Sequence, residues 1–133
     1  MFVAELTPEK QEVFLNLAYT MVYADGRLDE KEDKLFKSYA IEVSEEMLSK
    51  AHNVDFEKEL VKLDDCTRTE KLGIFFELYA IALIDESYPE EEKILVDIMK
   101  KHFDVNDDKI NEMREGLKAF VDALRNLEKI VSA

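Results

Sequence analysis

Ala24-Asp25-Gly26-Arg27-Leu28-Asp29-Glu30-Lys31-Glu32-Asp33-Lys34-Leu35 and Ile84-Asp85-Glu86-Ser87-Tyr88-Pro89-Glu90-Glu91-Glu92-Lys93-Ile94-Leu95 carry one pattern twice, 60 positions apart. In each, an apolar helical stretch ends in an Asp. A Glu follows seven residues later, inside the start of another helix, and a Leu three residues after that. A pattern duplicated at a fixed offset points to two helical hairpins related by a pseudo-two-fold. It places Asp25, Glu32, Asp85 and Glu92 at equivalent positions. Four carboxylates at helix ends either cap those helices or gather around a cation.

The segments around the repeat read as helices. Thr7-Pro8 is an N-cap followed by a first-turn proline. Val13, Phe14, Leu17, Ala18, Met21 and Val22 recur at helical spacing up to the turn at Asp25-Gly26. Asp29 and Glu32 form a capping-box pattern, and the helix continues through Leu35, Phe36 and Tyr39. Ser44 and Asp55 open two short helices. Thr67 and Glu70 form a second capping box ahead of Leu72, Phe75, Phe76, Tyr79, Ala80, Ala82 and Leu83. A sixth helix spans about Tyr88 to His102, and Asn106 caps a seventh that reaches nearly to the C-terminus. The expectation is an all-α single domain over 1–133: a bundle of about seven helices, two pseudo-symmetric hairpins plus flanking helices.

Composition agrees. Only three Gly and two Pro leave little room for the turns of an all-β chain, and 47% apolar residues can fill one core. The formal charge is −13, with 16 acids in residues 1–66 and 15 in 67–133, so negative charge covers the whole surface. Such a surface repels nucleic acid and anionic lipid and attracts cations or a basic protein partner. A lone Cys66 allows no intrachain disulfide and suits a reducing compartment. No apolar run approaches the roughly 20 residues that span a bilayer. No targeting pattern opens the chain, so the expectation is a cytoplasmic protein without membrane insertion.

The last helix has its own regularity. Ile110, Met113, Leu117, Phe120, Leu124, Leu127 and Val131 follow a seven-residue a/d repeat, which suits a homodimeric coiled-coil seam. Val121, Ala123 and Ile130 broaden the stripe, which favours packing against the chain's own bundle. Gly116 within it points to a close helix crossing.

Against a helix-loop-helix calcium loop, the first acidic motif supplies only the second half: Asp25, Gly26, Leu28, Asp29 and Glu32 fall at positions 5, 6, 8, 9 and 12. Met21 and Tyr23 occupy positions 1 and 3, so one copy cannot complete a calcium shell. A site shared by both copies gains four carboxylates from Asp25, Glu32, Asp85 and Glu92. Hard oxygen ligands of this kind suit calcium, magnesium or manganese. Helix capping by Asp29 and Glu32 and dipole complementarity by Glu90, Glu91 and Glu92 explain many of the same residues without a metal. Residues 104–115 also place oxygens at calcium-loop positions 1, 3, 5, 9 and 12, but Lys109 stands where the turn glycine belongs, so Asn106 reads as a helix cap. His52, His102 and Cys66 assemble no nucleophile-base set, and no phosphate-cradling glycine loop exists, so a non-enzymatic role is expected.

The run Leu17-Ala18 through Tyr23-Ala24-Asp25-Gly26-Arg27-Leu28-Asp29-Glu30-Lys31-Glu32 resembles the hallmark of the TerB-like (tellurite-resistance B) family, whose fold is shared by the N-terminal region of DjlA co-chaperones. The similarity extends over about residues 10–130. The second copy departs from the pattern with Glu86 in place of a glycine. The resemblance implies a cytoplasmic stress-response or protein-interaction module with a divalent-metal site at Asp25, Glu32, Asp85 and Glu92. The alternative is a metal-independent acidic scaffold that recruits a basic protein.

Overall fold

The computed structural model describes residues 1–23, 26, 29–84 and 88–133. Seven helices run in the order α1 (Pro8–Val22), α2 (Glu30–Glu42), α3 (Glu45–Ser49), α4 (Phe56–Val61), α5 (Arg68–Ile84), α6 (Glu90–His102) and α7 (Asp107–Ser132), and no strand occurs among the described residues. The caps are local side-chain hydrogen bonds. Thr7, Asp29, Ser44, Asp55 and Asn106 each accept from the amide three residues on. Thr67 and Glu70 form a complete capping box: Glu70 N donates to Thr67 Oγ1 at 3.1 Å and Thr67 N to Glu70 Oε1 at 2.9 Å.

The 60-residue repeat is visible in the helices themselves. Helices α2 and α6 have the same length at that offset, and both bury the same three positions: Glu32, Phe36 and Tyr39 in α2, and Glu92, Val96 and Met99 in α6. Helices α1 and α5 also start 60 residues apart, and each is buried on most of its circumference. They pack against each other at the centre of the bundle; α2 lies on α1 and α5, and α6 lies on α5 and α4. Ile74, Leu78 and Ile81, outside the stripe read along α5, are buried as well. The reason is that α5 packs against α1, α2 and α6 together, so its burial extends beyond one narrow stripe.

Two features tie distant segments to this centre. Residues 1–7 fold back on the bundle with Val3 and Leu6 in the core. Glu42 accepts from the amides of Val3 and Ala4 at 3.1 and 3.0 Å; Glu77 accepts from Phe2 N at 3.0 Å and from the Tyr39 hydroxyl. The 51–55 connection is pinned to α1: His52 N donates to Asn16 Oδ1 at 3.2 Å and Val54 N to Thr20 Oγ1 at 3.0 Å. Buried Asn16 also donates to Glu59 Oε2 at 3.2 Å.

Helix α7 departs from the expected packing on its own bundle. Ile110 is buried, Met113, Leu117 and Val121 are half-buried, and the remainder of the stripe faces solvent. A Cβ on Gly116 would meet nothing within 4 Å, so the glycine serves no close crossing within the chain.

Candidate functional site

The two acidic motifs lie where α1 hands over to α2 and α5 to α6. Asp25 and Asp85 fall outside the described residues, as does Glu86, whereas Glu32 and Glu92 are described in full. Each glutamate is the third residue of its helix, after the N-caps Asp29 and Pro89. Their residues are only 1% and 2% exposed, within the range of the apolar core itself. Carboxylates are rarely buried to this degree without a compensating charge or metal, because desolvation of the ion is expensive.

Capping accounts for part of this. Asp29 Oδ1 accepts from Glu32 N at 2.9 Å, so Asp29 is the cap of α2. Its counterpart Pro89 makes no side-chain cap and, as a proline, has no N–H. The reciprocal capping-box bond from an N3 carboxylate to the N-cap amide is therefore unavailable to Glu92. Glu90 and Glu91 stay on the surface and complement the helix N-terminus, while Glu92 points inward.

The surroundings are aromatic and partly strained. Tyr23 caps the end of α1, packs on Tyr19 with centroids 4.7 Å apart, and donates its hydroxyl to Asp33 Oδ1 at 2.6 Å. Burial, then the Asp33 bond, push the Tyr23 phenol up to about 12. The Tyr23 and Lys37 contacts hold Asp33 below its ordinary range, which assigns that acid to an internal pair. On the other motif, Tyr88 has φ +40° immediately before Pro89, a left-handed conformation that bulky residues rarely adopt. The Lys93 ammonium lies 5.4 Å from the centroid of its ring. Burial raises the Tyr88 phenol, with the charges of Tyr79 and Glu92 adding to the effect. Tyr23 and Glu91 line one shallow hollow of about 390 Å3 with Thr20, Asn53, Val54 and Ile94. The end of α1 and the first turn of α6 thus share one end of the bundle.

No family model, curated protein or solved structure matches this chain. The site therefore stands on its own chemistry. Among the described residues, no group of three or more His, Cys, Asp or Glu side chains gathers as a metal-holding cluster.

The remaining reactive residues have structural roles. His102 Nε2 lies 2.7 Å from Asp64 Oδ1, and His52 Nδ1 lies 3.0 Å from the Lys50 carbonyl oxygen. Burial pushes the Cys66 thiol up, opposite to the shift that activates a nucleophile. Asp104 sits at φ +52° in a Schellman motif, with Val105 N donating to the Lys100 carbonyl oxygen at 3.0 Å and Asp104 N to that of Lys101 at 3.3 Å. Asn106 Oδ1 caps Lys109 N at 2.8 Å, and α7 is already helical from Asp107. Residues 104–115 therefore form a helix end and a helix start, without the open loop that calcium needs.

Proposed function

We propose that the chain is a non-enzymatic, metal-responsive binding module of TerB-like type. In this reading Asp25 and Glu32 from one hairpin, with Asp85 and Glu92 from the other, hold a divalent calcium, magnesium or manganese ion. One observation carries the reading. Equivalent glutamates of a 60-residue repeat are almost completely buried, each as the third residue of its helix. A hard cation supplies the positive charge that offsets desolvation of such carboxylates, and oxygen donors select these metals over zinc. Binding would join the α1–α2 and α5–α6 connections and stiffen one end of the bundle, where the hollow beside Tyr23 and Glu91 offers a surface to a protein partner. The resemblance to TerB-like proteins adds a cytoplasmic stress-response setting. The −13 charge supports a second reading, in which the acidic surface recruits a basic protein without a metal.

Calorimetric titration of chelator-treated protein separates them. The first reading expects a saturable isotherm with calcium, magnesium or manganese, abolished by Asp25→Asn/Asp85→Asn and weakened by Glu92→Gln. Absence of binding heat with every cation, from protein of unchanged helicity, would reject it. Partner capture that falls with salt and ignores chelator would then identify the scaffold.

A further inference from the structure

We propose that the exposed half of α7 is a self-association surface, on which a second copy of this chain lies antiparallel. Helix α7 leaves the bundle after Met113 with an uncovered apolar stripe: Phe120, Leu124, Leu127, Ile130 and Val131 are exposed by between 47% at Leu124 and 84% at Val131. Together they present about 600 Å2 per chain, taking about 200 Å2 for a large apolar residue. Two such faces, with their polar borders, bring the buried area into the range of about 1,200–2,000 Å2 found in specific dimers.

Charge selects the occupant. Residues 117–133 contain Lys118, Arg125 and Lys129 against Asp122 and Glu128, a net +1, so the rest of the −13 chain carries −14. Near-neutral segments of two copies approach without repulsion, whereas an anionic membrane would meet the acidic body attached to the same helix. The bodies also set the direction. A parallel pair would bring both acidic bundles to one end, and an antiparallel pair separates them.

The repeat fits the antiparallel register. When a and d positions alternate across the seam, Leu117 meets Leu127 of the second copy and Phe120 meets Leu124 of the second copy. The flanking e positions then bring Arg114 to Glu128 of the second copy, opposite in charge. Arg114 donates to the Tyr79 hydroxyl at 2.7 Å, and a guanidinium has further donors for a carboxylate. The flanking g positions bring Gly116 to Ile130 of the second copy. This gives the glycine a purpose that its own chain does not, since nothing lies within 4 Å of a Cβ built there.

Sedimentation equilibrium of the full chain, from micromolar to hundreds of micromolar, tests this. The wild type is expected at the mass of two chains. Leu124→Glu should weaken the dimer by about a hundredfold, two leucines per pair each being worth at least a factor of ten. Gly116→Gln improves helix propensity in a single chain yet should also weaken the dimer, because it crowds Ile130 of the second copy. Spin labels on Ser132→Cys, in a Cys66→Ala background, should lie about 30 Å apart in the antiparallel pair, as 20 residues of helix separate them axially. A wild-type mass of one chain throughout the range overturns the proposal. So do a dimer indifferent to Leu124→Glu, a label separation of about 10 Å as parallel neighbours give, or phosphatidylglycerol vesicles that sediment the wild type and not Leu124→Glu.

Discussion

Replacing Glu77 by Ala should unfold the attachment of the N-terminal segment before anything else. Glu77 and Tyr39 are both nearly fully buried, and the Tyr39 hydroxyl donates to the Glu77 carboxylate across 38 residues of sequence. The same carboxylate accepts from Phe2 N at 3.0 Å and pairs with the Met1 ammonium at 3.1 Å. Burial and then the Glu77 charge hold the Tyr39 phenol far above its ordinary range, so the hydroxyl is a donor at every physiological pH. Removing the carboxylate leaves that hydroxyl buried without its acceptor, at about 2 kcal/mol, and releases the Phe2 amide, at about 1 kcal/mol. Glu77→Ala should therefore cost about 3 kcal/mol. Glu77→Gln, which keeps one acceptor oxygen, should cost about half as much. Tyr39→Phe should cost about 1 kcal/mol, because Glu77 keeps its other donors. Urea unfolding of the two single variants and the double variant closes a cycle with an expected coupling near 1.5 kcal/mol. Additivity within about 0.5 kcal/mol would show that the pair is not a unit and refute this account of how the N-terminal segment is held.

Acid and alkali should each expose one group. Burial tends to raise the Glu42 carboxyl, but bonds from the Met1 ammonium and the amides of Ala4 and Val3 outweigh it and leave it lowered. Its stability is therefore present above the ordinary value near 4.5 and is lost as pH falls through the folded value; Glu42→Gln should flatten that acid limb in pH-dependent unfolding. The Tyr23 phenol is raised from 10.0 to about 12, so its contribution is present below pH 10 and lost as pH approaches 12. Tyr23→Phe should make the alkaline limb shallower, with the slope that remains coming from the other raised groups, Tyr39 and Tyr88 among them. Gly26→Ala should cost about 1 kcal/mol in thermal unfolding through backbone strain alone, because φ is +72° and a Cβ there would meet nothing within 4 Å.

Local chemistry was legible in the sequence, and long-range chemistry was not. The caps at Thr7, Asp29, Ser44, Asp55, Thr67 and Asn106 act over three residues, so the residue types alone declare them. The equivalence of Glu32 and Glu92 was legible from the 60-residue offset. Their burial was not, since first-turn glutamates ordinarily serve the dipole in solvent. Pro89 was the available signal: read as the N-cap, it excludes a capping box for Glu92. Asn16–Glu59 and Tyr39–Glu77 join polar residues 43 and 38 positions apart, and no periodicity marks such pairs. Periodicity also failed for α7, because a stripe states that a helix face is apolar and does not state what covers it.

Thermal unfolding of chelator-treated protein, with calcium, magnesium and manganese added singly, tests the metal-responsive reading most directly. A ligand at 100 times its dissociation constant stabilises the native state by about 2.7 kcal/mol. The account predicts a saturable rise in Tm with at least one of these ions, lost in Asp25→Asn/Asp85→Asn. A Tm that no cation moves in the wild type would contradict it and return Glu32 and Glu92 to a purely structural role.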